Sequence, residues 1–179
     1  MRAPGSSRLV GYGASVDDTC RVLVVGSMPS ARSLEIQEYY GHPQNRFWSF
    51  VEDLFAIPRE LPHKERLEGL RKVGVALWDV VQSCKRETSA DSRIREVQVN
   101  DFVALFQKYS KIERVFCNGG KAHDLWRRFV GPQLEAPMPF ERLPSTSPAN
   151  ASQTVARKLQ AWAALRDAVA DDPCRPGLR

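Results

Sequence analysis

Four short apolar runs recur along the chain with helix-spaced segments between them. Cys20 to Gly26 reads CRVLVVG, a β-branched run stopped by glycine, which predicts a strand buried on both faces. Val73 to Val81 (VGVALWDVV) and Ile112 to Cys117 (IERVFC) predict a second and third strand, and Phe140 to Leu143 a shorter fourth. Between them the apolar spacing lengthens. Asn45 to Phe55 puts Phe47, Phe50, Val51, Leu54 and Phe55 on one helical stripe, and Asn100 to Tyr109 does so with Phe102, Leu105 and Phe106, with Asn100 as N-cap. Lys121 to Val130 and Asn150 to Val169 complete the helices, the last preceded by Ser147-Pro148 as a start signal. The alternation predicts an α/β protein, a three-layer α/β/α sandwich around a mainly parallel four-stranded sheet. The expected organisation is a single domain over 1–179, with a core of about 20–170 between a loose N-terminal segment of nineteen residues and a loose tail from Asp171.

In such a sheet the loops after the strands converge on one edge, where open α/β folds bind ligands. After the first strand, Gly26-Ser27-Met28-Pro29-Ser30 forms a tight turn whose amides face that edge; alone, such a turn is more often structural. The segment Tyr39-Tyr40-Gly41-His42-Pro43-Gln44-Asn45-Arg46-Phe47-Trp48 is more informative. It packs aromatics, an imidazole, carboxamides and a guanidinium into ten residues, a set suited to stacking on bases, reading base edges and meeting phosphate. Phe47 and Trp48 fit the core; Tyr40, His42 and Asn45 do not. After the third strand, Asn118-Gly119-Gly120-Lys121 brings a further carboxamide to the edge, where Asn118 would meet Asn45, although Asn-Gly commonly marks only a turn. After the fourth, Leu143 to Asn150 (LPSTSPAN) sets short hydroxyls between two prolines, a rigid loop able to approach a phosphate or simply to cap a helix. Trp78-Asp79-Val80 through Asp91-Ser92 carries the acidic residues near this edge, which read as structural or solvated.

Composition changes this picture little. The chain has 42% apolar and 26% charged residues, ordinary globular usage, with no apolar run long enough to span a membrane and no secretory leader in its opening residues. A cytoplasmic protein is expected. Four scattered cysteines and three histidines lack metal-ligand spacing, so neither a metal nor a cofactor is expected. The formal net charge of +5 admits an anionic partner but equally a solvated basic surface.

Taken together, GSMPS, YYGHPQNRFW and LPSTSPAN resemble motifs of the uracil-DNA glycosylase superfamily, the resemblance running from about Cys20 to Ala151. It is greatest to the hypoxanthine-DNA (deoxyinosine) glycosylase branch. The mismatch-specific uracil-DNA glycosylases are the nearer cousins, sharing HP-x-NRFW. The resemblance implies a sheet between helical layers, and a monofunctional enzyme of base excision repair that flips a deaminated base out of DNA and hydrolyses its N-glycosidic bond without a metal. Much of the superfamily places Asp or Asn before the first motif's proline to position water. This chain has Met28 there, so by analogy catalysis passes to Asn45 and Asn118. Gly26, Ser27, Met28, Pro29, Tyr40 and His42 would then form the base pocket, while Arg46, Lys121, Ser145, Thr146 and Ser147 would hold the DNA. The implied partner is double- or single-stranded DNA carrying a damaged base, bound by a monomer and nucleoid-associated while bound. Alternatives are a uracil or mismatch-specific glycosylase and a catalytically silent DNA-binding module of the same fold. A nucleotide-binding protein is disfavoured, because no phosphate-loop spacing follows the first strand.

Overall fold

The computed structural model describes residues 8–85 and 95–170. In chain order the elements are β1 (Leu9–Val10), β2 (Val22–Gly26), α1 (Ala31–Ile36), α2 (Phe47–Phe55), α3 (His63–Lys72), β3 (Val75–Asp79), β4 (Val81–Lys85), β5 (Arg95–Val99), α4 (Phe102–Lys108), β6 (Arg114–Asn118), α5 (Gly120–Leu125), β7 (Phe140–Leu143) and α6 (Val155–Ala170). The central sheet is four-stranded and parallel, in the order β3-β2-β6-β7. All five residues of β2 are buried, as the unbroken valine-leucine run requires of a strand covered on both faces.

Alternation along β2 divides the core. Val22 and Val24 point to one side, where they meet Phe47, Phe50 and Val51 of α2, Leu70 of α3 and Trp162 and Leu165 of α6. Leu23 and Val25 point to the other, toward Phe102 and Leu105 of α4 and Ala122 and Leu125 of α5. The layers are therefore those the alternation predicts. From β2 the chain passes to β3 on one flank, and β6 lies on the other, so the sheet reverses its order between β2 and β6. A ligand crevice belongs at the carboxyl ends of those strands.

The structure corrects several boundaries. Val73 to Val81 is not one strand: β3 ends at Asp79, and Val80 and Val81 donate their amides to the Gly26 and Ser27 carbonyls. The chain thereby turns out of the parallel sheet into a second, antiparallel one, β1-β4-β5. The N-terminal segment is not loose from Arg8 onward. Leu9 and Val10 pair with Cys84 and Ser83, Ser15 bridges Leu77, and Trp78 donates its indole N–H to the Tyr12 carbonyl at 3.0 Å. These strand pairings, and a side-chain bond to a backbone carbonyl, leave no apolar period to read. Asp101, not Asn100, caps α4, accepting the Ala104 amide at 2.9 Å. Asn100 is buried and donates instead to the Asp79 carbonyl. The helix expected over Lys121 to Val130 is α5 followed by a π-helical turn at Trp126–Val130, and the last helix starts at Val155 rather than Asn150. Helices α1 and α3 carry too short or too polar a stripe to announce themselves. The tail from Asp171 and residues 91–92 lie outside the described residues.

Phe116 lies on β6, fully buried between β2 and β7. Phe116→Ala removes that contact and leaves a cavity, and is expected to cost about 3–5 kcal/mol of unfolding free energy in a denaturant titration.

Candidate active site

The parallel register sets the site. Gly26 lies opposite Asp79, Val25 opposite Cys117, and Asn118 opposite Leu143, so β2, β3, β6 and β7 deliver their last residues to one edge. There a cleft of about 280 Å³ is walled by Gly26, Ser27, Met28 and Pro29, by Tyr40 and Asn45, by Asn118 and Lys121, and by Ser145, Thr146 and Ser147. That volume is at the small end for ligand pockets and suits one base rather than an oligonucleotide.

Gly26 is glycine for a visible reason. A Cβ there would overlap the Asp79 carboxylate and come within 3.3 Å of the Tyr40 hydroxyl. Tyr40 itself adopts a left-handed backbone with φ 54°, which costs roughly 1–2 kcal/mol for a residue with a side chain. Its ring stacks on the buried Phe47 ring at 4.0 Å, offsetting part of that cost. Though the residue as a whole is half-buried, its hydroxyl is fully buried. Burial, and after it the Asp79 charge, push the phenol far above its ordinary 10.0. Asn118 is near enough to oppose that shift, but no hydrogen bond of full geometry joins it to Tyr40, whose hydroxyl stays neutral and unpaired within the protein.

The two carboxamides differ in how much of them is already used. Asn118 donates Nδ2–H to the Thr146 hydroxyl at 2.9 Å and accepts the Thr146 amide at 3.0 Å. One N–H and one acceptor direction remain. Asn45 accepts the Phe47 amide at 3.0 Å, a local turn bond that fixes the side chain and leaves its NH2 unused. The two side chains share the cleft; no hydrogen bond joins them, because Asn118 turns to Thr146. Gly119 follows with φ 95°, and a Cβ there would lie 2.8 Å from Ser145 Cβ, so glycine lets the β6 and β7 loops close on each other.

The loop after β7 is held from behind. Trp162 donates its indole N–H to the Pro144 carbonyl at 2.9 Å, and the buried Lys158 ammonium bonds the carbonyls of Ser145 and Asn150. Burial lowers the Lys158 pKa from its ordinary value. The Arg46 amide donates to the Thr146 carbonyl at 3.0 Å, tying the aromatic segment to this loop.

His42 and Thr146 sit differently from the sequence expectation. His42 is outside the cleft wall; its Nδ1 accepts the Gln44 amide and its carbonyl the Asn45 amide, so it shapes the turn that presents Asn45. The Arg46 side chain is exposed and also outside the wall. Thr146 is only 1% exposed, with its hydroxyl accepting from Asn118. Met28 lines the cleft from the hydrophobic core. Conversely, Asp79, Ser33 and Tyr39 also line it. Only their register and packing reveal them, Ser33 through a 3.0 Å bond from the Gly41 amide and Asp79 through its place opposite Gly26. Cys117 is fully buried, and burial pushes its thiol up to about 12, which disfavours the thiolate.

Residues 14–166 match the sequence model of the uracil DNA glycosylase superfamily. The chain belongs to this superfamily. It is 33% identical over 141 residues to a protein of Methanosarcina acetivorans named hypoxanthine DNA glycosylase, covering 78% of this chain and 87% of that one. A protein of Methanosarcina barkeri with the same name is 32% identical over 113 residues, covering 63% and 72%. Among solved structures, the solution NMR structure of a Methanosarcina acetivorans protein described as a candidate uracil DNA glycosylase superposes with a TM-score of 0.77 at 30% identity, over 90% of this chain and 99% of that one. The cleft at the β2–β6 switch has an aromatic wall with a testable support. His63 Nε2 accepts the Tyr39 amide at 3.2 Å, and burial lowers its pKa below the ordinary 6.5. The folded state therefore favours neutral His63. Its contribution should be full above about pH 6.5 and decline as pH falls through that value, until the folded-state pKa is passed. Denaturant midpoints measured between pH 8 and 5 should show this decline, and His63→Gln should flatten it.

Proposed function

We propose that this chain excises a deaminated base, hypoxanthine first among them, from DNA by hydrolysis of the N-glycosidic bond. It would act as a cytoplasmic monomer on double- or single-stranded DNA. The observation that carries the reading is one base-sized cleft in which two carboxamides with unused N–H groups face a neutral phenol and a carboxylate. Support also comes from two relatives at about one-third identity named for hypoxanthine.

The base must leave the helix to reach this cleft, at a cost of a few kcal/mol that is smallest for a mispaired base. Hydrogen bonds to the base edge return about 1–3 kcal/mol for each good pair. Lys121 on the wall and the exposed Arg46 and Arg142 nearby supply cations for phosphates. Water oxygen then bonds to the sugar C1′ as the C1′–N9 bond breaks. The bond pair leaves on the purine, and one water proton ends on the released base. Neither carboxamide takes that proton. In this reading Asn45 orients the water and steadies the positive sugar, and Asn118 donates its remaining N–H to the departing base.

The assay is alkaline cleavage of duplexes carrying one deoxyinosine, deoxyuridine or deoxyxanthosine. Asn45→Ala should slow cutting at deoxyinosine by about 10²–10³-fold while duplex affinity is kept. Turnover unchanged in the variant would remove Asn45 from the mechanism, and salt-sensitive duplex binding with no cutting at any lesion would favour the silent DNA-binding module.

A further inference from the structure

Among the described residues, the acidic side chain on the cleft wall is Asp79, which lies outside all three motif loops. We propose that its carboxylate reads the ring N–H of a lactam base, so that the cleft takes bases of the hypoxanthine type and refuses those with a bare ring nitrogen at that edge. The inference deepens the function proposed above and rests on it.

Asp79 is 3% exposed at the last position of β3, directly opposite Gly26. The absent side chain at Gly26 leaves the space that the Asp79 carboxylate occupies, beside the Tyr40 hydroxyl. Its backbone is fixed independently of its charge: the Asp79 carbonyl accepts Asn100 Nδ2 at 2.8 Å, and the next amide, Val80, donates to Gly26 at 2.9 Å. The charge is felt around the whole aromatic wall, where after burial it is the next cause raising the phenols of Tyr12, Tyr39 and Tyr40, Tyr12 to about 12.

A carboxylate only accepts hydrogen bonds, whereas the unused groups of Asn45 and Asn118 include donors. The cleft thus offers an acceptor and donors to one ligand edge. Hypoxanthine presents the complement, a ring N1–H beside the O6 acceptor. Adenine presents a bare N1 beside an amino group, which turns a lone pair toward the carboxylate and an N–H toward the carboxamide donors. Cytosine fails in the same way, and uracil passes. Guanine and thymine also carry the lactam N–H, so their exclusion falls to other walls and not to Asp79. A site built to accept a hydrogen bond can reject an analogue lacking the donor by 10⁴-fold or more, far beyond what one methylene in an apolar pocket achieves.

The test is Asp79→Asn, the same shape with a donor added. Single-turnover excision is measured on duplexes carrying deoxyinosine or mispaired deoxyadenosine, with thermal melting to verify folding. The variant should cut deoxyinosine about 10²-fold more slowly, and its preference for inosine over adenine should fall by a similar factor. Wild-type rate and undiminished refusal of adenine in a folded variant would overturn the role of Asp79 alone. Wild-type protein supplies a variant-free check by calorimetry, in which free hypoxanthine should bind at least about 10²-fold more tightly than adenine or unsubstituted purine; equal affinities would overturn the proposal. If the wild type cuts only deoxyuridine, the hypoxanthine assignment fails, and uracil against cytosine becomes the ratio that tests Asp79. If it cuts no lesion, the functional reading fails, and the calorimetry still decides whether Asp79 selects a lactam.

Discussion

The parallel register of four strands is the constraint on which the rest depends. Because β3, β2, β6 and β7 run in one direction and end together, Asp79, Gly26, Asn118 and Leu143 arrive at one edge though they lie far apart in sequence. A shift of one residue would turn every side chain of the slipped strand to the opposite face. It would bury Asn118 among apolar helices or withdraw Asp79 from Gly26. The alternate residues of β2 feed two different cores, and at its end the Asp79 carboxylate fills the space that the missing Gly26 side chain leaves.

A second level of order lies in the loops. Asn118 and Thr146 exchange two hydrogen bonds, Arg46 reaches the same loop through its amide, and Lys158 and Trp162 hold it from α6. With the Val81 amide on the Ser27 carbonyl, each of the three motif loops is braced by another segment of the chain. That matters for a reaction run by positioning and electrostatic stabilisation, where groups misplaced by 1 Å can lose most of their effect. Gly26 and Gly119 are the points at which backbone must yield to a neighbour's side chain, and the left-handed Tyr40 is the strained position opposite them.

Much of this was legible in the sequence because it rests on local patterns. The valine-rich first strand, the Phe47 stripe and the motif segments identify the sheet, one helix layer and most of the cleft wall. What escaped depends on long-range pairing. Nothing in VGVALWDVV marks the turn at Val80 that sends the chain into a second sheet, and Leu9–Val10 has no period to detect. Asp79 read as structural because a lone acidic residue at a strand end shows its role only once Gly26 is placed beside it. His42 and Thr146 read as ligand-facing from residue type, yet each spends its polar atoms on shaping the turn or loop that carries its neighbours.

Under the proposed function, the strand-end cleft is where a single base is detached from DNA. Its most direct test is to incubate the protein with a deoxyinosine duplex and analyse the low-molecular-weight fraction by liquid chromatography and mass spectrometry. Free hypoxanthine, released in amounts equal to the abasic sites formed in an otherwise unbroken strand, is the predicted result. Recovery of all the inosine in intact DNA under conditions where the duplex is fully bound would contradict it.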